Sequence, residues 1–345
     1  MTDLHLANKQ RLDVFRDALY NLNPDTLKQQ LREVFADDCH IQLAFPFTPL
    51  SGSDALVDTV YRPLIDAVPD LERRDFILMG GSSQGDGSTD EAWVGCGGHY
   101  VGVFERPWLD IPPTQHIMAM RYHEFFRFED GVITEMQALW DIPQLMMQAN
   151  TWPLAPSLAA EWVVPAPATG DGIILHATDP KRSDTSRARV DSMLKDLLRS
   201  SEGTQAMRLE HHWHPNMTWY GPAGIGTTRR ISGFRHWHQI PFLKAFPDRG
   251  MATAKSVFFS DGDYVGFTAF PGMKMTLSGD GWLGLPPTGT TVTGRSLDFW
   301  RCENDQLREN WVLLDILDIY HQLGVDVFAR MRELTPHRRA FTLNI

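Results

Sequence analysis

Along residues 8–36 the apolar side chains Leu12, Phe15, Leu19 and Leu22 share one helical face, and Leu27, Leu31 and Phe35 resume the pattern after a break at Pro24. A short strand is expected over 40–45. Residues 53–68 form a further helix, with Ser53 or Asp54 as its cap and Leu56, Val60, Leu64 and Ile65 as its buried face. Strands follow at 74–80, 91–104, 116–128 and 132–140, with a polar loop of Gly, Ser and Asp at 82–90. The same order then returns. Helices are expected at 183–199 and 205–214, a strand at 216–220 and a helix at 232–246. Strands at 253–260, 263–270, 273–277, 291–301 and 307–314 come next, and a closing helix begins after Asp315. Helices followed by a run of antiparallel strands indicate an α+β fold rather than alternating βαβ units.

The return extends to individual residues. Pro112, Arg121, Phe125, Glu135 and Asp141 recur at a constant spacing as Pro286, Arg295, Phe299, Glu309 and Asp315. A fixed shift held across a hairpin and into a helix marks an internal repeat, and two copies of so long a unit mean a duplicated domain. A chain of 345 residues has room for both. The expected division is a first domain at 1–149, a linker at 150–182 and a second domain at 183–345. The linker carries Pro153, Pro156, Pro165, Pro167 and Pro180. Trp152, Trp162, Val163, Val164, Ile173 and Ile174 make it too apolar for free coil, so it is expected to pack along a domain surface.

The formal net charge of −11 argues against nucleic acid and against an anionic membrane surface as partners. No apolar run is long enough to span a bilayer, and the opening residues contain no apolar signal core, so a cytoplasmic location is expected. Cys39, Cys96 and Cys302 form no CxxC and read as reduced, packed thiols. His211, His212 and His214, with His236 and His238, invite a metal reading. The stretch holding His236 and His238 is helical in pattern, however, and residues two apart on a helix point to nearly opposite faces. No metal is therefore expected.

Certain motifs stand in both copies. The first has Gly97-Gly98-His99-Tyr100-Val101-Gly102, then Trp108 to Thr114, Arg121 to Arg127, Asp130 to Glu135, and Asp141. The second has Trp282 to Gly289, Arg295 to Arg301, Glu309-Asn310-Trp311, Asp315, and Gln322-Leu323-Gly324. With these motifs the sequence resembles the SnoaL-like polyketide cyclases of the NTF2-like superfamily, over nearly the whole chain apart from the linker. The resemblance implies two cone-shaped barrels, each a curved antiparallel sheet around N-terminal helices with a pocket in its mouth. Such domains pair through their sheets, so the tandem is expected to pack as an intramolecular pseudo-dimer, in a monomer or a homodimer. The resemblance also implies a cofactor-free, metal-free cyclase or isomerase acting on a hydrophobic carbonyl compound. Its general acid and base would be Asp141 or Asp315, since a carboxylate in an apolar pocket becomes a stronger base through desolvation. The copies depart from the pattern differently. The first keeps His99, but Pro143 follows its Asp and the Gln-Leu-Gly ending is lost; the second keeps that ending but has Ala269 or Phe270 where His99 stands.

The single residues admit more than one role. Asp141 and Asp315 line a pocket or cap a helix. Strand parity puts Glu135 on one face with Asp141, and Glu309 and Trp311 on one face with Asp315. His99 is catalytic or a buried, satisfied histidine. Tyr100, Trp108, His116, Glu135, Trp282, Glu309 and Trp311 are the candidate substrate-binding residues. Arg121 and Arg295 partner acidic groups or clamp a substrate carboxylate. Three functions follow: a catalyst, a binding protein for an apolar small molecule, or a pair in which one copy serves as the other's structural partner.

Overall fold

The computed structural model describes residues 3–84, 90–203, 205–252 and 256–335. Each half opens with a helix. Asp3 caps Leu4–Tyr20 by accepting from the N–H groups of His5 and Leu6, and Leu12, Phe15 and Leu19 are buried. The counterpart, Pro180–Leu197, has Pro180 directly behind its cap Asp179 and buries Val190 and Met193. The long helix expected at 8–36 is two helices, Leu4–Tyr20 and Leu27–Arg32, because Pro24 falls between them.

The first sheet runs, in spatial order, Leu50–Ser51, Phe35–Gln42, Val132–Trp140, Ile117–Glu129, Asp90–Val103 and Glu72–Gln84. The second runs Val257–Asp261, Tyr264–Thr276, Thr291–Glu303, Gln306–Leu314, Trp213–Tyr220 and Thr227–Arg229, with Gly250–Met251 against Tyr264–Thr276. One pairing in each is parallel, Phe35–Gln42 with Val132–Trp140 and Trp213–Tyr220 with Gln306–Leu314. The shared topology is the duplication seen as structure.

Three expectations change. The helix expected at 205–214 shrinks to Leu209–His212, because Trp213 already belongs to the following strand. The strands expected at 263–270 and 273–277 are one strand with a bulge between Ala269 and Met273. Within that bulge Phe270 takes the place of His99, since Ala269 stands opposite Ser296 as Gly98 stands opposite Tyr122. Residues 85–89 of the polar loop and 253–255 of an expected strand lie outside the described residues.

One face of each sheet encloses its own helices, and the other packs on the opposite domain. Phe76, Ile77, Phe125 and Leu139 meet Phe259, Leu297, Phe299, Trp311 and Leu313 in a shared core. Burying each such large side chain contributes roughly 1.5–3 kcal/mol. The Phe125 ring lies 5.0 Å from that of Phe299 and 5.2 Å from that of Phe259. Gly95 permits this approach, since a Cβ there would come within 2.9 Å of the Phe299 ring. At the edge, Lys9 Nζ reaches Asp261 at 2.6 Å, and the same carboxylate accepts from Gly80 N–H. The two cones thus form a pseudo-dimer within one chain. The segment between them lies against both: Ile173 pairs with Leu78, Ala160 pairs with Thr227, and Trp311 Nε1 donates to Pro165 O at 3.2 Å.

Candidate active site

Asp141 and Asp315 sit at the domain interface, in a reciprocal arrangement. Asp141 accepts from Arg121 at 3.3 Å and from Ala223 N–H of the second domain, while Arg121 donates to Tyr220 O, Gly221 O and Val312 O. Asp315 accepts from Arg295 at 2.5 Å and from Phe45 N–H of the first domain, while Arg295 donates to Leu43 O. Asp315 also caps its helix through Asp318 N–H. Burial pushes both carboxyls up, Asp315 to about 6, against the pull of the arginines. A crevice of about 10 Å³ separates the two, room for roughly one water. The arrangement ties each domain to the loop of the other.

The interiors of the two cones differ. In the first, Glu124 points inward and is fully enclosed. Arg73 Nη1 donates to it at 2.6 Å, Tyr100 OH at 3.0 Å and Trp140 Nε1 at 2.9 Å. Tyr61 OH lies 3.0 Å from Tyr100 OH, and Tyr122 OH donates to Asp75, itself an ion-pair partner of Arg73. Every side chain of this network is buried, so it occupies the middle of the cone.

In the second cone the repeat puts Asp298 where Glu124 stands, Ser296 for Tyr122 and Leu314 for Trp140. The smaller side chains leave a cavity of about 480 Å³. Met193, Leu197, Trp213, Trp219, Phe242 and Phe267 supply much of its apolar wall. Ser296, Asp298, Trp300, Asn310, His238 and Gln239 are among its polar groups, and Arg249, which donates to Leu197 O, also lines it. Asp298 is 7% exposed, and Ser296 Oγ, at 3.1 Å, is its only hydrogen-bond partner among the described residues. With no cation against it, burial pushes the Asp298 carboxyl up to about 8. Trp300 Nε1 is buried without a partner among the described residues. This geometry offers a buried acid that can also serve as a base, in an apolar chamber of small-molecule size.

None of the catalytic or substrate-binding candidates named from the sequence lines this cavity; of the histidines raised as metal candidates, His238 does. His99 packs on Phe76 on the interface side of its strand, with burial lowering it to about 3. Tyr100 belongs to the filled cone, Trp108 packs near Trp140, and His116 is exposed. Glu135 pairs with Arg127 and Gln137, and Trp282 packs on Phe242 and Phe246. Glu309 accepts from Arg301 and Tyr220, and Trp311 stacks on Tyr220 at the interface. Parity grouped Glu309, Trp311 and Asp315 together, but the apolar face they share is the one buried against the first domain. Asp298 was missed, although the repeat marks it: an acid at matching positions of two aromatic strands, HEFFRF and LDFWRC. Of the histidines, His212 is buried with Nε2 2.7 Å from Asp196, and no group of three or more metal-ligating side chains occurs among the described residues. No described helix is long and apolar enough to cross a membrane.

Comparison with known proteins gives one family. Residues 188–323 match the model of the SnoaL-like polyketide cyclases. No curated protein matches the chain. Among solved structures, it is similar to IdmH from Streptomyces antibioticus, a candidate polyketide cyclase, at 20% identity over 41% of this chain and 98% of that one, with a TM-score of 0.34. A candidate SnoaL-like polyketide cyclase from Jannaschia sp. CCS1 is 16% identical over 43% and 94%, with a TM-score of 0.33. An NTF2-like protein from Burkholderia xenovorans LB400 is 11% identical over 41% and 96%, with a TM-score of 0.32. The family match and the repeated topology together carry the assignment: the chain is a tandem of two NTF2-like cones, the second of which matches the SnoaL-like polyketide cyclase model over residues 188–323.

Proposed function

We propose that the second domain is a cofactor-independent acid–base catalyst acting on an apolar carbonyl compound, with Asp298 as the group that moves the proton. The observation that carries this reading is a buried carboxyl with no cation against it in a cavity of about 480 Å³. Asp298 in its ionised form takes a proton from the carbon next to a carbonyl, and the electron pair of the C–H bond moves to the carbonyl oxygen. The Trp300 Nε1–H, buried and unpartnered, is a donor available to that oxygen. Asp298, now protonated, returns the proton or donates it to the oxygen that a carbon–carbon bond-forming closure creates. A carboxyl with a pKa of about 8 is about one-tenth ionised at neutral pH and is a far stronger base than an ordinary aspartate. The first domain is read as the structural partner, its inward acid being fully engaged by Arg73, Tyr100 and Trp140. Three buried free thiols suit a reducing, cytoplasmic compartment.

The test needs no knowledge of the natural substrate. Hydrogen–deuterium exchange at the activated methylene of β-tetralone, followed by NMR, reports proton abstraction directly. The protein is expected to accelerate exchange, with a rate rising up to about pH 8 and level above it. Asp298→Asn is expected to lower the rate by about 10²–10⁴-fold. An unchanged rate in that variant, or its loss in Asp141→Asn with Asp298 intact, would move the chemistry elsewhere.

A further inference from the structure

The helical wall of the same cavity carries a second cluster that the proton transfer does not use. Residues Arg235–Gln239 form a widened, π-helical turn, closed by the Ile240 N–H donating to Arg235 O. Pro241 follows immediately and has no N–H to continue a regular ladder. The first domain holds the same turn at Val57–Tyr61, closed by Arg62 N–H on Val57 O and followed by Pro63. In both, the last residue of the turn points into the cone. In the first domain it is Tyr61, whose hydroxyl meets Tyr100. In the second it is Gln239, beside His238, and both line the cavity. Such turns break helical regularity and recur at functional sites.

These two side chains have unmet hydrogen-bonding capacity. Gln239 is 5% exposed, yet among the described residues its carboxamide oxygen has no partner, and its nitrogen has only the weak acceptor Met207 Sδ at 3.3 Å. A buried carbonyl oxygen left unpaired loses its hydration without compensation. The His238 ring is stacked on Trp219 at 4.1 Å and 13° and packs on Phe242 at 5.6 Å, so its orientation is fixed. Its Nδ1 is also buried and unpartnered. Burial, with the cationic Arg249 adding to it, holds the ring neutral. A carboxamide oxygen with a free lone pair calls for a donor, and a neutral imidazole nitrogen takes either role, which together suit a hydroxyl group.

We propose that His238 and Gln239 form a second recognition point of the cavity, receiving a hydroxyl group of the ligand while the sheet wall holds its carbonyl end. This rests on the reading of the second cone as a ligand site and adds a specificity requirement: an apolar ketone carrying a hydroxyl group away from its reacting carbon. The two residues position the ligand; the proton moves at Asp298.

The test measures binding by titration calorimetry, with β-tetralone and its monohydroxylated ring isomers as probes, on the full chain. At least one hydroxylated isomer is expected to bind about 3- to 10-fold more tightly than β-tetralone. Gln239→Met, which keeps the side-chain length, is expected to abolish that preference, so that the hydroxylated isomer and β-tetralone bind alike. His238→Phe preserves the stack on Trp219 and is expected to reduce the preference, which guards against a folding defect in the first variant. Asp298→Asn is expected to retain it. A preference that persists in both Gln239→Met and His238→Phe, or no preference for any isomer in the unaltered protein, overturns the second recognition point and leaves the catalytic reading standing. Failure of every probe to bind the unaltered protein would overturn both.

Discussion

Glu124 and Asp298 occupy the same place in the two cones and meet opposite fates. Glu124 is held by a guanidinium, a phenol and an indole, and the aromatic rings that supply those donors also fill the space around it. Asp298 has a serine hydroxyl and an open chamber. A charge taken out of water must be paired or given up. The first domain pairs its acid, and the second leaves its acid neutral at ordinary pH and ready to exchange a proton. Duplication made both states available in one chain, and the difference lies in a few side chains: Tyr122 against Ser296, Trp140 against Leu314, Tyr61 against Gln239.

The comparison can be broken most forcefully at Arg73. Arg73→Met strands Glu124 in the interior, while Asp75 keeps Arg16, and urea unfolding is expected to show a loss of about 3–5 kcal/mol. A loss under about 1 kcal/mol would mean that the network does not hold the first cone. Next comes the interface. Asp141→Ala leaves Arg121 buried at 1% exposure, and a loss of about 3 kcal/mol is expected in the same assay.

The pH dependence sharpens the contrast from the other side. A carboxyl whose pKa is raised on folding makes its full contribution to stability below its unfolded value and loses it as pH rises through the folded value. Asp298 therefore lowers stability progressively toward pH 8, and about 2–3 kcal/mol should disappear between pH 6 and 9. Asp315, pushed up to about 6, acts mostly below that window. Asp298→Asn should flatten the slope and be more stable than the unaltered protein at pH 9. A slope unchanged by the substitution would detach the effect from this residue. The smallest effect is expected at Asp315. Its partner Arg295 is 20% exposed and also pairs with Asp318, so Asp315→Ala should cost about 1–2 kcal/mol, less than its counterpart Asp141→Ala.

The duplication was legible because it rests on pattern: helical and strand periodicity, and residues repeated at fixed spacing. The pairing of the cones came only as what the family resemblance implies. The site was harder to read. Alternation along a strand sorts residues into two faces but does not name the interior face when both are apolar. In Gln306–Leu314, Trp311 and Leu313 are buried against the other domain, while Asn310 and Val312 line the cavity. Asp315 was open between a pocket residue and a helix cap, and it is a helix cap that also bonds across the interface. Asp298 was legible only by comparing the copies face by face, and the cavity around it depends on side-chain volumes that no single motif displays.

The most direct measurement is the titration of Asp298 itself, by carbon-13 NMR of protein labelled at the aspartate side-chain carboxyls, with Asp298→Asn identifying the resonance. The account predicts a midpoint of about 8, well above the other carboxyls, in the unliganded protein. A midpoint near 4, the ordinary aspartate value, would contradict it, because the group would then be a solvated or paired carboxylate and the second cone would hold no acid poised for proton transfer.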